Sequence, residues 1–419
     1  HREDDHLDYY YERNLPSLLS REGPHAAVGD VTGDGLVDVY IGGAAGQPGQ
    51  LYLQGREGGF VASRQEVFDR YQAFEDVAVL FFDADGDGDL DLFVGAGGNH
   101  VRPGERELQH RLYKNDGGGN FTIDVAAFPL NHMNIAVATA HDYDGDGDQD
   151  LFVGSRSVPF AYGQAPKSYL YQNNGQGRFS DVSPKAFSQL GMVTGAAWAN
   201  VSGDGDKELV VAGEWMAPQV FAKGKGGEFT ALANTGLEAL QGLWQSLAVA
   251  DVNGDGRADL VLGNIGENFY LRPTSEKPVR LWVRDFDGNG TTDAFLTRTV
   301  GGRDVPVFLK REITEQFPGL KKDNLRHSDY AKKSIQQLFA KEVLSGAVQR
   351  QFSFCQSVVA LNGGGGRFLV KALPLRTQLS SVNAICTTDI NGDGKTDLLL
   401  GGNLFGFPPQ FGQLDASYG

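Results

Sequence analysis

Seven nine-residue segments of this chain share the pattern acid-x-polar-Gly-acid-Gly-x-x-acid, with asparagine replacing an acid in two of them. They occupy residues 30–38, 83–91, 142–150, 200–208, 251–259, 285–293 and 389–397. Such repetition fixes the architecture before any single element is considered, because like units of a few tens of residues assemble into arrays or closed rings. Starts lie 53, 59, 58, 51, 34 and 104 residues apart, so one spacing is short and the next carries an insertion.

Each acidic loop follows a short apolar stretch such as Val77–Phe82 and precedes another such as Leu92–Gly95, both of strand length and β-rich composition. The loop therefore joins two strands. Most repeats continue with a second hairpin signature, an apolar-aromatic run, a polar-glycine turn and a phenylalanine: Leu112–Asn115 to Phe121, Leu170–Asn173 to Phe179, Val220–Phe221 to Phe229 and Val359–Asn362 to Phe368. Four strands in about 50–60 residues, repeated, predict an all-β fold, a seven-bladed β-propeller, with six or eight blades as alternatives. Closure into a ring removes the exposed sheet edges of an open stack. Residues 1–419 read as one propeller domain, and residues 311–345, helical in spacing and composition, as a small insertion packed on the rim of the sixth blade. The opening at His1 reads as a processed chain or a piece of a longer one. With 57 glycines and 41% hydrophobic residues, the chain is turn-rich yet able to bury a core.

Loop positions one, three, five and nine carry oxygen-bearing side chains, position seven offers its carbonyl, and position six is always glycine. The candidate metal ligands are Asp30, Thr32, Asp34, Leu36 and Asp38 in loop one; Asp83, Asp85, Asp87, Asp89 and Asp91 in loop two; and Asp142, Asp144, Asp146, Asp148 and Asp150 in loop three. Loop four offers Asn200, Ser202, Asp204, Asp206 and Glu208, and loop five Asp251, Asn253, Asp255, Arg257 and Asp259. Loop six offers Asp285, Asp287, Asn289, Thr291 and Asp293, and loop seven Asp389, Asn391, Asp393, Lys395 and Asp397. Hard oxygen donors in this number suit Ca2+, which accepts about 6–8 of them in flexible geometry, better than Mg2+ with its strict octahedron. An EF-hand would need a bidentate glutamate at position twelve and flanking helices, and has neither here.

Charge points the same way. These loops hold 25 of the 53 acidic residues, and the net charge of −16 disfavours nucleic acid and anionic lipid. Up to seven calcium ions would nearly cancel that charge and relieve the repulsion between clustered carboxylates. By carboxylate count, loops two and three should bind tightest and loop four weakest. No apolar run approaches the roughly 18–20 residues that cross a bilayer.

The loops and their flanking strands resemble the FG-GAP and VCBS repeats of calcium-binding propellers, the class that includes the integrin α-subunit head. The runs Ser20–Pro24, Gly213–Met216, Gly242–Ser246 and Asn403–Phe407 through Gly419 are similar to secreted bacterial proteins of the ASPIC/UnbV, cartilage acidic protein-like type. The resemblance implies calcium at positions one, three, five, seven and nine. It also implies a secreted or cell-surface setting, outer-membrane-associated or periplasmic in a bacterium, with further domains or subunits of a surface complex as possible neighbours. Thr32, Asn200, Ser202 and Glu208 depart from the Asp/Asn pattern, which sets loops one and four apart.

If all acidic loops lie at one end of the strands, the varied connections after the second strands lie at the other. There His100, Arg102, Arg156, Tyr162, Trp215, Trp244 and Glu267 are candidate ligand-binding residues, with Asn99, Phe160, Asn264, Phe405 and Phe407 beside them. Such a mixture of aromatic platforms and hydrogen-bonding groups suits a protein or glycan ligand. His25, Glu75, Asp76, His132, Asn134, Gln245 and Asn383 are expected at the mouth of the central funnel, where Glu75 or Asp76 with His132 could supply an acid and a base. No nucleophile elbow, zinc motif or phosphate-binding loop is present. Three functions fit: extracellular recognition or adhesion, a structural domain of a larger surface assembly, and a carbohydrate-active lyase or hydrolase. Cys355 and Cys386 read as two buried small hydrophobes rather than a disulfide framework.

Overall fold

The computed structural model describes residues 5–23 and 25–416. Among these residues the strands form seven antiparallel sheets. The first sheet runs Ala26–Gly29, Asp38–Ile41, Gln50–Gln54 and Phe60–Ser63 in chain order; the second runs Asp76–Phe82, Asp91–Ala96, Arg111–Asn115 and Phe121–Asp124. The third comprises Asn134–His141, Asp150–Ser157, Tyr169–Asn173 and Phe179–Asp181. The fourth comprises Met192–Ala199, Glu208–Met216, Gln219–Lys223 and Phe229–Ala231, with Gly242–Leu243 added beside Glu208–Met216. First strands pack side by side from each of these sheets to the next, on to Ser246–Ala250 of the fifth sheet and Ala384–Thr388 of the last. This is the radial arrangement of a propeller.

Burial explains why the second strands read as continuous apolar runs. All of Asp91–Ala96 is buried. Leu92 and Val94 join Val31, Tyr40 and Leu51 in a core between the first and second sheets, while Phe93, between them in sequence, joins Ile135, Leu151 and Val153 on the other side. Side chains alternate across a strand, so a strand sandwiched between two sheets needs apolar residues at both parities. Each fully buried Leu or Phe contributes about 1.5–3 kcal/mol.

The fifth sheet departs from the expected order. Its second strand, Asp259–Gly263, pairs with Val358–Asn362 and then Phe368–Ala372, and nearly a hundred residues are threaded between its second and third strands. The threaded part forms its own sheet, ordered Arg303–Pro306, Asp293–Val300, Val279–Arg284 and Val348–Phe352. The sixth acidic loop belongs to this inserted sheet and not to a sixth blade in the series. The 34-residue spacing before it is too short for a complete outer hairpin, and Val359–Phe368, expected as that blade's own hairpin, completes the fifth sheet instead. Five short helices between Lys310 and Ser345 pack Ile313, Phe317, Leu320 and Ile335 against the inserted sheet, in a core that also takes Leu15, Leu19 and Phe407.

The last sheet consists of two strands, Ala384–Thr388 and Asp397–Gly401. Cys355 is half-buried against the core of the inserted sheet and Cys386 is exposed on the last sheet, both with free thiols, so neither is the fully buried hydrophobe expected. No helix among the described residues is long and apolar enough to cross a membrane.

Candidate metal loops and the opposite face

The acidic loops fold alike because their first and last carboxylates organise the backbone. Asp30 accepts from the amides of Gly33, Asp34 and Gly35 at 2.8, 3.2 and 2.7 Å. Asp251, Asp285 and Asp389 do the same in loops five, six and seven, with the position-six amide 2.7, 2.8 and 2.7 Å away. Reaching that amide requires left-handed backbone at positions four and six, met in loop two by Gly86 and Gly88 with φ of 76° and 92°. The amides hold Asp30, Asp251, Asp285 and Asp389 below the usual carboxylate range.

Position nine is the hub. One oxygen of Asp91 accepts from Ala84 N at 3.0 Å and the other from Asn115 N, at the end of the third strand, at 2.8 Å. Asp38, Asp150 and Asp259 make the same pair of contacts, to Gln54, Asn173 and Asn362 in the third strands. In loop six the third-strand amide is replaced by the side chain of Gln316, from the helix Lys310–Gln316, at 2.9 Å. Burial, opposed by these amides and reinforced by neighbouring carboxylates, pushes Asp91 up to about 6 and Asp150 up to about 7. A cation at the loop would reverse that shift.

Carboxylate oxygens converge within 4.8 Å of one another in three loops: Asp83, Asp85 and Asp91; Asp142, Asp144 and Asp146; Asp285, Asp287 and Asp293. The donors are hard oxygens on a glycine-bent loop, which fits a divalent cation. The remaining loops differ in instructive ways. In loop five the guanidinium of Arg257 lies 2.7 Å from Asp255, so a side-chain cation already faces position five. In loop four Glu208 spends one oxygen on both Val201 N and Ser202 N, beside neutral Asn200. Even in loop two Lys114 reaches Asp85 at 3.0 Å, where loop three has the neutral Gln172 on Asp144 at 2.6 Å.

A second device links neighbouring sheets. The amide nitrogen of Asn115 donates to the Val31 carbonyl at 2.8 Å, that of Asn173 to Ala84 at 2.8 Å, and that of Asn362 to Val201 at 3.0 Å. In each case the third strand of one sheet grips position two of the previous acidic loop. Lys223 plays this part in the fourth sheet, its ammonium 2.8 Å from the Tyr143 carbonyl.

The opposite face is not the open surface that the sequence suggests. Residues 5–23 lie across it. Asp8 accepts from Leu19 N, Ser20 N and Asn99 Nδ2 at 2.9, 3.0 and 3.2 Å, and Glu12 from Tyr162 N at 2.9 Å. Arg156 sits between Glu22 and Glu214, with 12% of its side chain exposed. Tyr162 donates to Glu214 at 3.0 Å and accepts from Trp215 Nε1 at 2.8 Å. Trp244 is fully buried, its indole N–H directed at the carbonyls of Met216 and Leu240. Arg156, Tyr162, Trp215 and Trp244 are therefore committed to the interior, as are Asn99, Asn264 and Phe407. Arg102, Glu267 and Phe405 stay exposed, with His100 half-buried beside His6.

Asp76 is equally committed: it pairs with buried Arg111 at 2.6 Å and accepts from Gly43 N at 2.9 Å, so it is not poised opposite exposed His132 as an acid–base couple. Glu75 is buried and accepts from Ala45 N at 2.7 Å. The residues missed by sequence reasoning are Asp8 and Glu12, which lie outside any repeat and carry no local signature, and Glu22, which lies in the run Ser20–Pro24 but was given no role there.

Comparison with known families places FG-GAP-like repeats at residues 30–94, 142–211 and 200–262, and an FG-GAP repeat at residues 381–414. The class is thus an all-β propeller-type fold with acidic hairpin loops, and this chain carries FG-GAP repeats. No curated protein matches it. Among solved structures, an ancestral GH74 enzyme is similar at 11% identity and a TM-score of 0.38, over 93% of this chain and 47% of the enzyme. BBS1N, crystallised in complex with ARL6DN, is similar at 11% identity and a TM-score of 0.37, over 92% of this chain and 90% of that one. This chain spans about half the length of the GH74 enzyme, and neither likeness bears on activity.

Proposed function

We propose that this chain is a calcium-stabilised recognition or scaffold propeller acting outside the cell, binding a protein or glycan on the side away from the acidic loops. The convergence of three carboxylates in each of loops two, three and six carries the reading. Loops so charged fold cheaply only with a counterion, and calcium is abundant outside cells, where sites of about 10⁻⁴–10⁻³ M suffice. Arg102, Glu267 and Phe405 are the exposed part of the candidate ligand surface. Calorimetric titration of the metal-stripped protein with CaCl2, followed by a glycan array with calcium and with chelator, tests both parts. Saturable calcium binding at three or more sites and calcium-dependent glycan retention are expected. Absence of calcium binding at millimolar concentration overturns the reading.

A further inference from the structure

We propose that loop six has a duty the other acidic loops lack: its cation clasps residues 5–23 in place over the opposite face, acting through Gln316. This duty requires that loop six take the calcium proposed above. The other six loops are joined in series. Asn115 ties loop two to loop one, Asn173 ties loop three to loop two, Lys223 loop four to loop three and Asn362 loop five to loop four. Thr396 of loop seven continues the series, its hydroxyl 2.8 Å from the Asp251 carbonyl of loop five. Among the described residues, loop six has no place in it. Its bonds run to the connection after the second strand of the third sheet, where Gln164 Nε2 donates to Thr292 Oγ1 at 2.6 Å, and to the helix Lys310–Gln316. A cavity of about 220 Å³ lies between it and the amino-terminal segment, lined by Tyr11, Glu12, Phe160, Asn289 and Thr292, and leaves the loop open to ions.

The link from metal to segment is a relay of two amides. Gln316 donates through Nε2 to Asp293, the position-nine acid, at 2.9 Å, and its Oε1 accepts from Asn14 Nδ2. The polarity is fixed by the acid. An ionised carboxylate only accepts, so the Gln316 amino group must face Asp293 and its carbonyl oxygen is left for Asn14. Asn14 is 8% exposed and has left-handed backbone, with φ of 61°, which asparagine adopts more readily than most residues. The next residue, Leu15, is fully buried in one core with Ala294, the neighbour of Asp293. Arg13 also pairs with Glu315 at 2.9 Å, but both side chains are nearly half exposed, so this pair holds the segment weakly. Without a cation, the carboxylates of Asp285, Asp287 and Asp293 converge within 4.8 Å and repel one another. A loop opened by that repulsion no longer fixes Asp293, Gln316 loses the contact that orients it, and the buried Asn14 amide loses its acceptor.

The test is hydrogen exchange on the intact chain, with and without CaCl2, read at amides that report the docked segment: Leu19 and Ser20, which donate to Asp8, and Tyr162, which donates to Glu12. Calcium at ten times its Kd favours the clasped form about elevenfold, so exchange at these amides should slow about tenfold. Asp287→Asn should remove one calcium site by calorimetry and abolish the slowing, whereas Asp144→Asn, the same change in loop three, should leave the slowing intact. Gln316→Leu keeps the three carboxylates of loop six and should still lose the calcium dependence. Binding heat with unchanged exchange at the three amides overturns the clasp and leaves the calcium reading standing; no binding heat at all overturns both. Slowing that survives in Gln316→Leu overturns the relay and assigns the segment's hold to the packing of Leu15. Slowing lost equally in Asp144→Asn is a global effect and overturns the special duty of loop six.

Discussion

Lys114 and Gln172 occupy the same place in successive sheets, each directed at the position-three aspartate of its own loop. The ammonium of Lys114 competes with a metal at Asp85, while Gln172 leaves the charge of Asp144 intact, so loop three should bind calcium more tightly than loop two. Lys114→Gln is expected to raise the affinity of loop two about three- to tenfold, as read by calcium titration of the variant against the parent. The position-nine carboxylates supply a pH signature. Asp91 and Asp150, at about 6 and about 7 in the fold, bind protons more readily folded than unfolded, where the value is about 3.9. Their contribution to the metal-free protein is therefore fully present below about pH 4 and is lost as the pH rises through 6 to 7. Thermal melts in chelator should show a lower midpoint at pH 8 than at pH 5.5. With saturating calcium the order should reverse, because the metal needs the ionised form. Equal midpoints at both pH values in chelator would refute the assignment.

At the scale of the element, the asparagine that ends the third strand of the second, third and fifth sheets does two jobs at once. Asn173 closes its own loop through its backbone N–H on Asp150, and fastens the preceding sheet through its side chain on the Ala84 and Gln149 carbonyls, at 2.8 and 3.1 Å. Asn173→Ala leaves these buried acceptors without a donor and should cost about 1–3 kcal/mol, measured by urea denaturation. Asn120→Ala, on an exposed turn, should cost well under 1 kcal/mol. The loops themselves were legible in sequence because their constraint is local: Asp83, Gly86, Gly88 and Asp91 lie within nine residues of one another. The Asn115 and Asn173 side-chain links were not, since they depend on which loop lies beside which strand. The inserted sheet escaped for a related reason. Val358–Asn362 is an ordinary third strand in composition, and its distance from Asp259–Gly263, not its pattern, identifies the threading. Arg156, Tyr162 and Trp215 looked like a ligand surface because polar and aromatic residues on loops suit binding and burial equally. Only the position of residues 5–23 separates the two.

For the molecule as a whole, the acidic loops outside the inserted sheet and residues 5–23 act at opposite ends of the same sheets. These loops tie first strands to second at one end, and residues 5–23 span the other, bonding to connections of the second and third sheets at Asn99 and Tyr162 and, through Arg156 of the third sheet, linking to Glu214 of the fourth. Removing calcium from several loops should lower the melting midpoint by about 5 °C or more, since one site at a hundredfold excess over its Kd contributes about 2.7 kcal/mol. An unchanged midpoint in chelator would show that the loops hold without metal. The other end is tested through Arg156, whose guanidinium lies between the Glu22 and Glu214 carboxylates, themselves 6% and 5% exposed. Burial already lifts Glu22 to about 7 against the pull of Arg156. Arg156→Ala leaves two buried carboxylates facing each other and should cost about 3–5 kcal/mol, more at pH 8 than at pH 6, where Glu22 takes up a proton. Adding Glu22→Gln to that variant should recover part of the loss at pH 8 and little at pH 6. A loss independent of both pH and the second substitution would mean that Arg156 acts through packing alone, and that charge does not hold the amino-terminal segment across the propeller.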